Sequence, residues 1–202
     1  MQSVGTTHSP FEVPPKLMVV NTKTKVVEIQ HDLPAPSLTD PKTVHGQFRR
    51  VRYTATGAYL VPFLTMNQVI EYDGNLKETW KYEIASPWAA IRLKNGNTLI
   101  TDEKDILTRE VNPKKETVWE LKPGDVPEAY RYINTQTCTR LVNGNTIVCS
   151  RGGDGKGPQL VEVTPDKKVV WVLRDWANFG PATAVQILDD PGIPEKPGES
   201  QR

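Results

Sequence analysis

The sequence predicts an all-β protein assembled from repeated four-stranded antiparallel units, and three observations predict it. The first is a recurring hairpin signal: Leu93-Lys-Asn-Gly-Asn-Thr-Leu-Ile100 returns as Leu141-Val-Asn-Gly-Asn-Thr-Ile-Val148, with a worn copy at Thr54-Ala-Thr-Gly-Ala-Tyr-Leu-Val61. The second is a unit that follows each copy and ends on tryptophan, at residues 69–80, 108–119 and 160–171. The third is the period. Gly57, Gly96 and Gly144 step by 39 and 48, and Trp80, Trp119 and Trp171 step by 39 and 52. Repeats of about 40–50 residues, each with two hairpins, are the signature of propeller blades. The predicted fold is therefore a β-propeller of four-stranded antiparallel blades, with about four blade equivalents, read as the C-terminal part of a larger propeller.

Each blade follows from local chemistry. Asn-Gly between β-branched and aliphatic runs predicts a tight turn, because both residues tolerate positive φ. This joins strands a and b. Asp-Gly-Asn, Asn-Pro-Lys-Lys and Thr-Pro-Asp-Lys then turn the chain between strands c and d. Residues 16–28 align without gaps on 159–171, so they form a c–d hairpin without its a–b half. In order, the chain reads as an N-terminal arm (1–15), a half blade (16–30), blades at 45–84, 86–122 and 135–174, a closing inner strand at 182–188, and a Pro-, Gly- and Glu-rich tail (191–202). The propeller spans 16–190. Two structural readings stay open: the terminal halves pair to close a four-bladed ring, or earlier blades belong to a longer ring. Open blade edges would favour a homodimer, since unpaired edge strands invite pairing.

Composition narrows the function classes. The chain has 202 residues, 37% of them apolar, with 14 Gly and 17 Pro. Lys and Arg number 25 against 24 Asp and Glu, so no general field draws it to nucleic acid or to an anionic membrane surface. No apolar run of about 18 residues predicts a membrane span. The first ten residues lack the basic and apolar regions of a secretory signal. Two cysteines cannot build a disulfide scaffold or a four-cysteine metal site. No Ser/His/Asp order, His-Glu-x-x-His, Cys-x-x-Cys or phosphate loop is present, and no metal or cofactor is expected from the residues themselves.

The candidate site is the funnel face, built from b–c loops and d–a crossovers, because variation concentrates there on an otherwise uniform scaffold. It offers His45, Arg50, Trp88, Asp102, Tyr130, Arg131, Arg151, Asp154 and Trp176. Aromatic surface with both signs of charge suits a small polar ligand or a protein or peptide partner; ordinary solvated loops are the other reading. Arg151-Gly-Gly-Asp-Gly-Lys-Gly157 could cradle an anion on successive backbone N–H groups, although one Asp falls short of the oxygens calcium needs. It reads equally as a flexible insertion. Trp80, Trp119 and Trp171 recur with the blades and are assigned to packing between them. Partners across a two-residue Asn143-Gly144 turn would pair Cys138 with Cys149, which allows a disulfide in an oxidising compartment.

The pattern Leu-x-Asn-Gly-Asn-Thr-Leu-Ile, followed by Val-Glu-Val-x-Pro-x-x-x-Val-Val-Trp, resembles the quinoprotein-like β-propellers of bacteria. It is similar also to the arylsulfotransferase propellers. The resemblance runs from Lys16 to Asp190 and speaks to fold more than to function. It implies a family often periplasmic or secreted, whose enzymes carry pyrroloquinoline quinone with calcium; that cofactor is the alternative here. Neither adjacent cysteines nor a full set of catalytic histidines is present. The expected function is thus a non-enzymatic scaffold that binds at the funnel. The alternative is an enzyme of either type acting there, with His45 and Arg50 as participants.

Overall fold

The computed structural model describes residues 14–38, 40, 43, 46–152 and 155–188, together with the backbone of a strand at 2–7. Among these residues it contains fifteen strands in four antiparallel sheets. The first sheet is β1 (Gln2–Thr7), β2 (Lys16–Asn21) and β3 (Val27–Asp32). The second holds β4 (Arg52–Tyr53), β5 (Tyr59–Phe63), β6 (Gln68–Tyr72) and β7 (Glu78–Glu83). The third holds β8 (Pro87–Arg92), β9 (Thr98–Asp102), β10 (Leu107–Val111) and β11 (Thr117–Leu121). The fourth holds β12 (Thr135–Arg140), β13 (Thr146–Ser150), β14 (Leu160–Val163) and β15 (Val169–Leu173). Strand order follows chain order in every sheet. These are the blades of a β-propeller.

Two differences from the sequence expectation concern the ends. Residues 2–7 were expected in an arm, yet β1 pairs with β2 along its whole length, from Gln2 opposite Asn21 to Thr7 opposite Lys16. The first sheet is therefore three-stranded. Val4 is the one large apolar residue in Gln-Ser-Val-Gly-Thr-Thr, so no apolar alternation announced the strand, and backbone pairing holds it. The expected closing strand at 182–188 joins no ladder. Its alternation is used otherwise: Ala182, Val185 and Ile187 pack on Ile147, Cys149 and Leu160 of the fourth blade, and Thr137 donates to the Thr183 carbonyl at 3.0 Å.

The turns explain the strand registers. Gly57, Gly96 and Gly144 have φ of 80°, 85° and 87°, each closing a three-residue loop in which its own N–H donates to Thr54, Leu93 or Leu141. A type I turn with a left-handed glycine bulge, rather than a two-residue turn, joins strands a and b. The bulge moves the register by one residue. Cys138 therefore faces Val148, not Cys149. A one-residue slip turns side chains to the opposite face, so the expected Cys138–Cys149 opposition is corrected. Cys138 packs with Ile91, Leu93 and Leu99, whereas Cys149 packs with Ile147 and Leu160, both as buried thiols. The c–d turns carry left-handed Lys25, Leu76, Lys115 and Lys167, and each is followed by a ladder shift at the same place in its blade.

The chain divides into two compact units, the first up to Ala90 and the second from Ile91 onward. In the first, Leu17 and Val19 of the first blade pack on Tyr59, Val61, Phe63, Ile70 and Tyr72 of the second. In the second, the fourth blade packs on the third through Val148, Val161, Val163, Leu121 and Tyr132. Within each unit, the earlier blade thus presents a trailing face to the later one, and the later blade a leading face to the earlier one. Strands β5, β9 and β13 are buried throughout, while β3 and β7 alternate with solvent at the rim.

The second unit shows what the repeated residues do. Asn97 donates to Glu110 at 2.6 Å and Asn145 to Glu162 at 2.7 Å, so the second Asn of Asn-Gly-Asn holds the glutamate of strand c. Glu110 then pairs with Arg140 of the next blade at 2.8 Å. The Arg140 guanidinium lies 5.3 Å from the Trp119 ring centre, and the Trp119 indole donates to the Pro165 carbonyl at 2.9 Å. Lys167 reaches Asp125 at 3.1 Å. Trp119, which closes the third blade, thus lies at its interface with the fourth.

Candidate functional site

A bowl of about 450 Å³ opens in the second unit, lined by Asn134, Arg151, Gly152, Gly155, Trp176 and Pro181. Arg151, Gly152 and Gly155 form its wall, and local hydrogen bonds hold Arg151 and Gly152 in place. Asn134 precedes β12 with φ of 52°, a left-handed conformation that Asn tolerates better than most residues. Its carbonyl accepts the Arg151 N–H at 3.1 Å, and its side-chain amide donates to the Gly152 carbonyl at 3.2 Å. The Ser150 hydroxyl donates to Ile133 and accepts the Ile133 N–H, pinning the loop base to the crossover.

Trp176 forms the floor. Its indole N–H donates to the Gly157 carbonyl at 2.8 Å, which leaves the ring face, not the polar edge, for a ligand. Gly152 has φ of 63°, and a Cβ there would lie 2.6 Å from the Trp176 ring. Only glycine admits this approach of backbone to indole. Gln159, fully buried, anchors the segment that carries Trp176. Its amide N–H₂ donates to the Phe179 and Gly180 carbonyls, and its Oε1 accepts the Asp175 N–H at 2.7 Å. The arrangement places an exposed arginine, a tryptophan and an asparagine around an open cavity. It supplies binding groups, and none of the six lining residues is a carboxylate, thiol or imidazole.

The structure brings Arg151 and Trp176 together but scatters the other expected funnel residues. Asp102 is 1% exposed and serves its own turn, accepting the Asp105 N–H at 3.0 Å; burial raises its carboxyl above the usual range. Its Oδ2 has no partner among the described residues. Trp88 is half-buried beneath the Arg49 guanidinium, 4.4 Å from the ring centre, and Arg50 is exposed where an isolated parallel bridge links it to Ala89. Tyr130 and Arg131 are exposed at the short 3-10 turn Glu128–Tyr130 and do not line the bowl. His45 and Asp154 lie outside the described residues. His31 packs edge-on against Tyr72, with ring centres 5.5 Å apart. Trp80 stacks on Tyr82 at 6.0 Å, whereas Trp171 is 46% exposed. Sequence reasoning missed Asn134, Pro181 and the anchoring Gln159. Asn134 carried a signal, since an Asn between a crossover and a strand is a candidate for positive φ.

A second concavity, of about 370 Å³, lies in the first unit at the b–c loop of the second blade, lined by Met66, Asn67, Gln68, Glu83, Ile84 and Ala85. Asn67, with φ of 54°, bonds through its carbonyl to the Ile84 N–H and through its side chain to the Ser86 N–H, at 3.0 and 3.2 Å. Its polar groups are thus committed to the loop, and it lacks an aromatic face.

No protein-family model and no curated protein matches the chain. Solved structures do. A protein of unknown function from Bacteroides caccae is similar at 26% identity with a TM-score of 0.72, covering 84% of this chain and 63% of its own. Virginiamycin B lyase from Staphylococcus aureus is similar at 12% identity and a TM-score of 0.54, covering 77% of this chain and 47% of the lyase. BamB from Moraxella catarrhalis gives 14%, 0.52, 85% and 49% in the same order. The chain thus spans less than two-thirds of the length of each. What these likenesses share with the sheets described above is architecture, and the chain is an all-β protein of the propeller fold.

Proposed function

We propose that this protein is a non-enzymatic binding scaffold whose ligand site is the Arg151–Trp176 bowl, and that the ligand is a small planar anion such as an aromatic carboxylate. The observation that supports this reading is that Trp176 and exposed Arg151 line one open cavity of ligand size. Arginine recognises carboxylates through paired N–H donors, and a planar ligand stacks on the indole at the same time. An open site with one charge-assisted contact and one stacking surface supports a Kd of about 0.1–1 mM for a ligand of some ten heavy atoms.

Isothermal titration with benzoate and with neutral, isosteric benzamide tests the reading. Benzoate should bind roughly tenfold more tightly than benzamide, and Arg151→Gln should remove that difference. Gly152→Ala should weaken both ligands, because its Cβ displaces the indole. Equal affinity for the two ligands, or a difference that survives Arg151→Gln, would show that the bowl does not read charge.

A further inference from the structure

Comparing the blades with one another exposes two faces that differ from their counterparts. In the second unit the trailing face of the third blade is covered: Trp119 is half-buried, its indole N–H bonds Pro165, and Glu110 pairs with Arg140. The same positions in the fourth blade are Trp171 and Glu162, as the ladder partners Glu110–Trp119 and Glu162–Trp171 show. Trp171 is 46% exposed, and among the described residues nothing accepts its indole N–H and no cation pairs with Glu162. Residues 182–187 cover only the inner part of this face.

The first blade shows the converse. The ladder shifts align Val20 and Val27 with Val163 and Val169, and Met18 with Val161. Val161 and Val163 are fully buried against the third blade, but Met18 and Val20 are half-buried and Val27 is 45% exposed. The trailing face of this same blade is buried, through Leu17 and Val19, so its leading side alone departs from the pattern. Its c–d turn also presents exposed Lys23 and Lys25. Lys25 holds the left-handed position that in the fourth blade belongs to Lys167, the partner of Asp125.

We propose that these are complementary docking surfaces, and that a second copy of this chain fills them, the leading face of its first blade seating on the trailing face of the fourth. The blade-on-blade packing inside each unit is the template. An apolar strip with a basic turn meets a face bearing an exposed tryptophan and an unneutralised glutamate. Pairing a leading with a trailing face is heterologous, so each copy donates one face and accepts on the other. The proposal does not depend on the bowl.

Analytical ultracentrifugation of the full chain from about 1 to 100 μM tests it. Self-association is expected, and Trp171→Asp and Val27→Asp should each raise the dissociation constant about tenfold or more. Both side chains are close to half exposed, so circular dichroism should show an unchanged fold. Mixing the two variants should restore association, because one intact leading face then meets one intact trailing face. A chain that stays monomeric throughout, or an oligomer indifferent to both substitutions, would overturn the proposal. So would variants that fail alone and also fail when mixed.

Discussion

Glu110→Ala should be among the most destabilising substitutions outside the apolar core. The Glu110 carboxylate takes Arg140 at 2.8 Å, Asn97 at 2.6 Å and Asn95 at 3.3 Å, with side-chain exposure of 7% for Glu110 and 15% for Arg140. Removing it strands a mostly buried guanidinium and two amide donors. Breaking one side of a buried ion pair costs about 3–5 kcal/mol. Water can reach Arg140 at its 15% exposure, and Trp119 still faces the cation, so the expected loss is about 2–3 kcal/mol. Replacing both partners by apolar residues, Glu110→Leu with Arg140→Met, should return stability to within about 1 kcal/mol of the parent. Urea unfolding followed by tryptophan fluorescence measures this, provided the m-value is unchanged. A single-variant loss below about 0.5 kcal/mol, or a double variant as unstable as the sum of the singles, would refute the assignment of this pair to the blade interface.

Other expectations follow from backbone and burial. Gly144→Ala should cost about 1–2 kcal/mol, because φ of 87° is left-handed and disfavours any Cβ. Lys115→Gly should instead stabilise by about 0.5–1 kcal/mol, since φ of 69° at an exposed turn already suits glycine; unfolding midpoints of the two variants should move in opposite directions. Burial, reinforced by Glu78, pushes the Tyr72 hydroxyl up to about 12 from an ordinary value of 10.0. Its neutral form therefore contributes stability that is intact below pH 10 and is lost as pH rises from there through about 12. Tyr72→Phe should flatten that alkaline loss, on the order of 2 kcal/mol, in unfolding curves at pH 9 and pH 11.5.

Much of the fold was legible because the blade repeat writes the same physics several times. In the third and fourth blades Asn-Gly-Asn marks the left-handed glycine of the a–b turn and also the amide that holds the strand-c glutamate, so one motif encodes both turn and packing. What the motif does not reveal is loop length: three residues rather than two displace Cys138 from Cys149, a distinction between turn types that share Asn-Gly. β1 escaped notice because its pairing is made by backbone, which any composition supplies. At the site, Arg151 and Trp176 stood out as a cation in a glycine-rich loop and a tryptophan out of step with the blades. Asp102 looked like a funnel residue because chain position cannot tell a turn cap from a lining group. Gln159 was silent for a related reason: its role lies in carbonyls about twenty residues away.

The most direct test of the account is a nuclear magnetic resonance titration of the isotope-labelled chain with benzoate. The account predicts saturable shifts concentrated on the Trp176 indole and on the Gly152 and Gly155 amides, absent from Arg151→Gln. Shifts spread over the surface, or a saturable site elsewhere with the bowl unmoved, would contradict it.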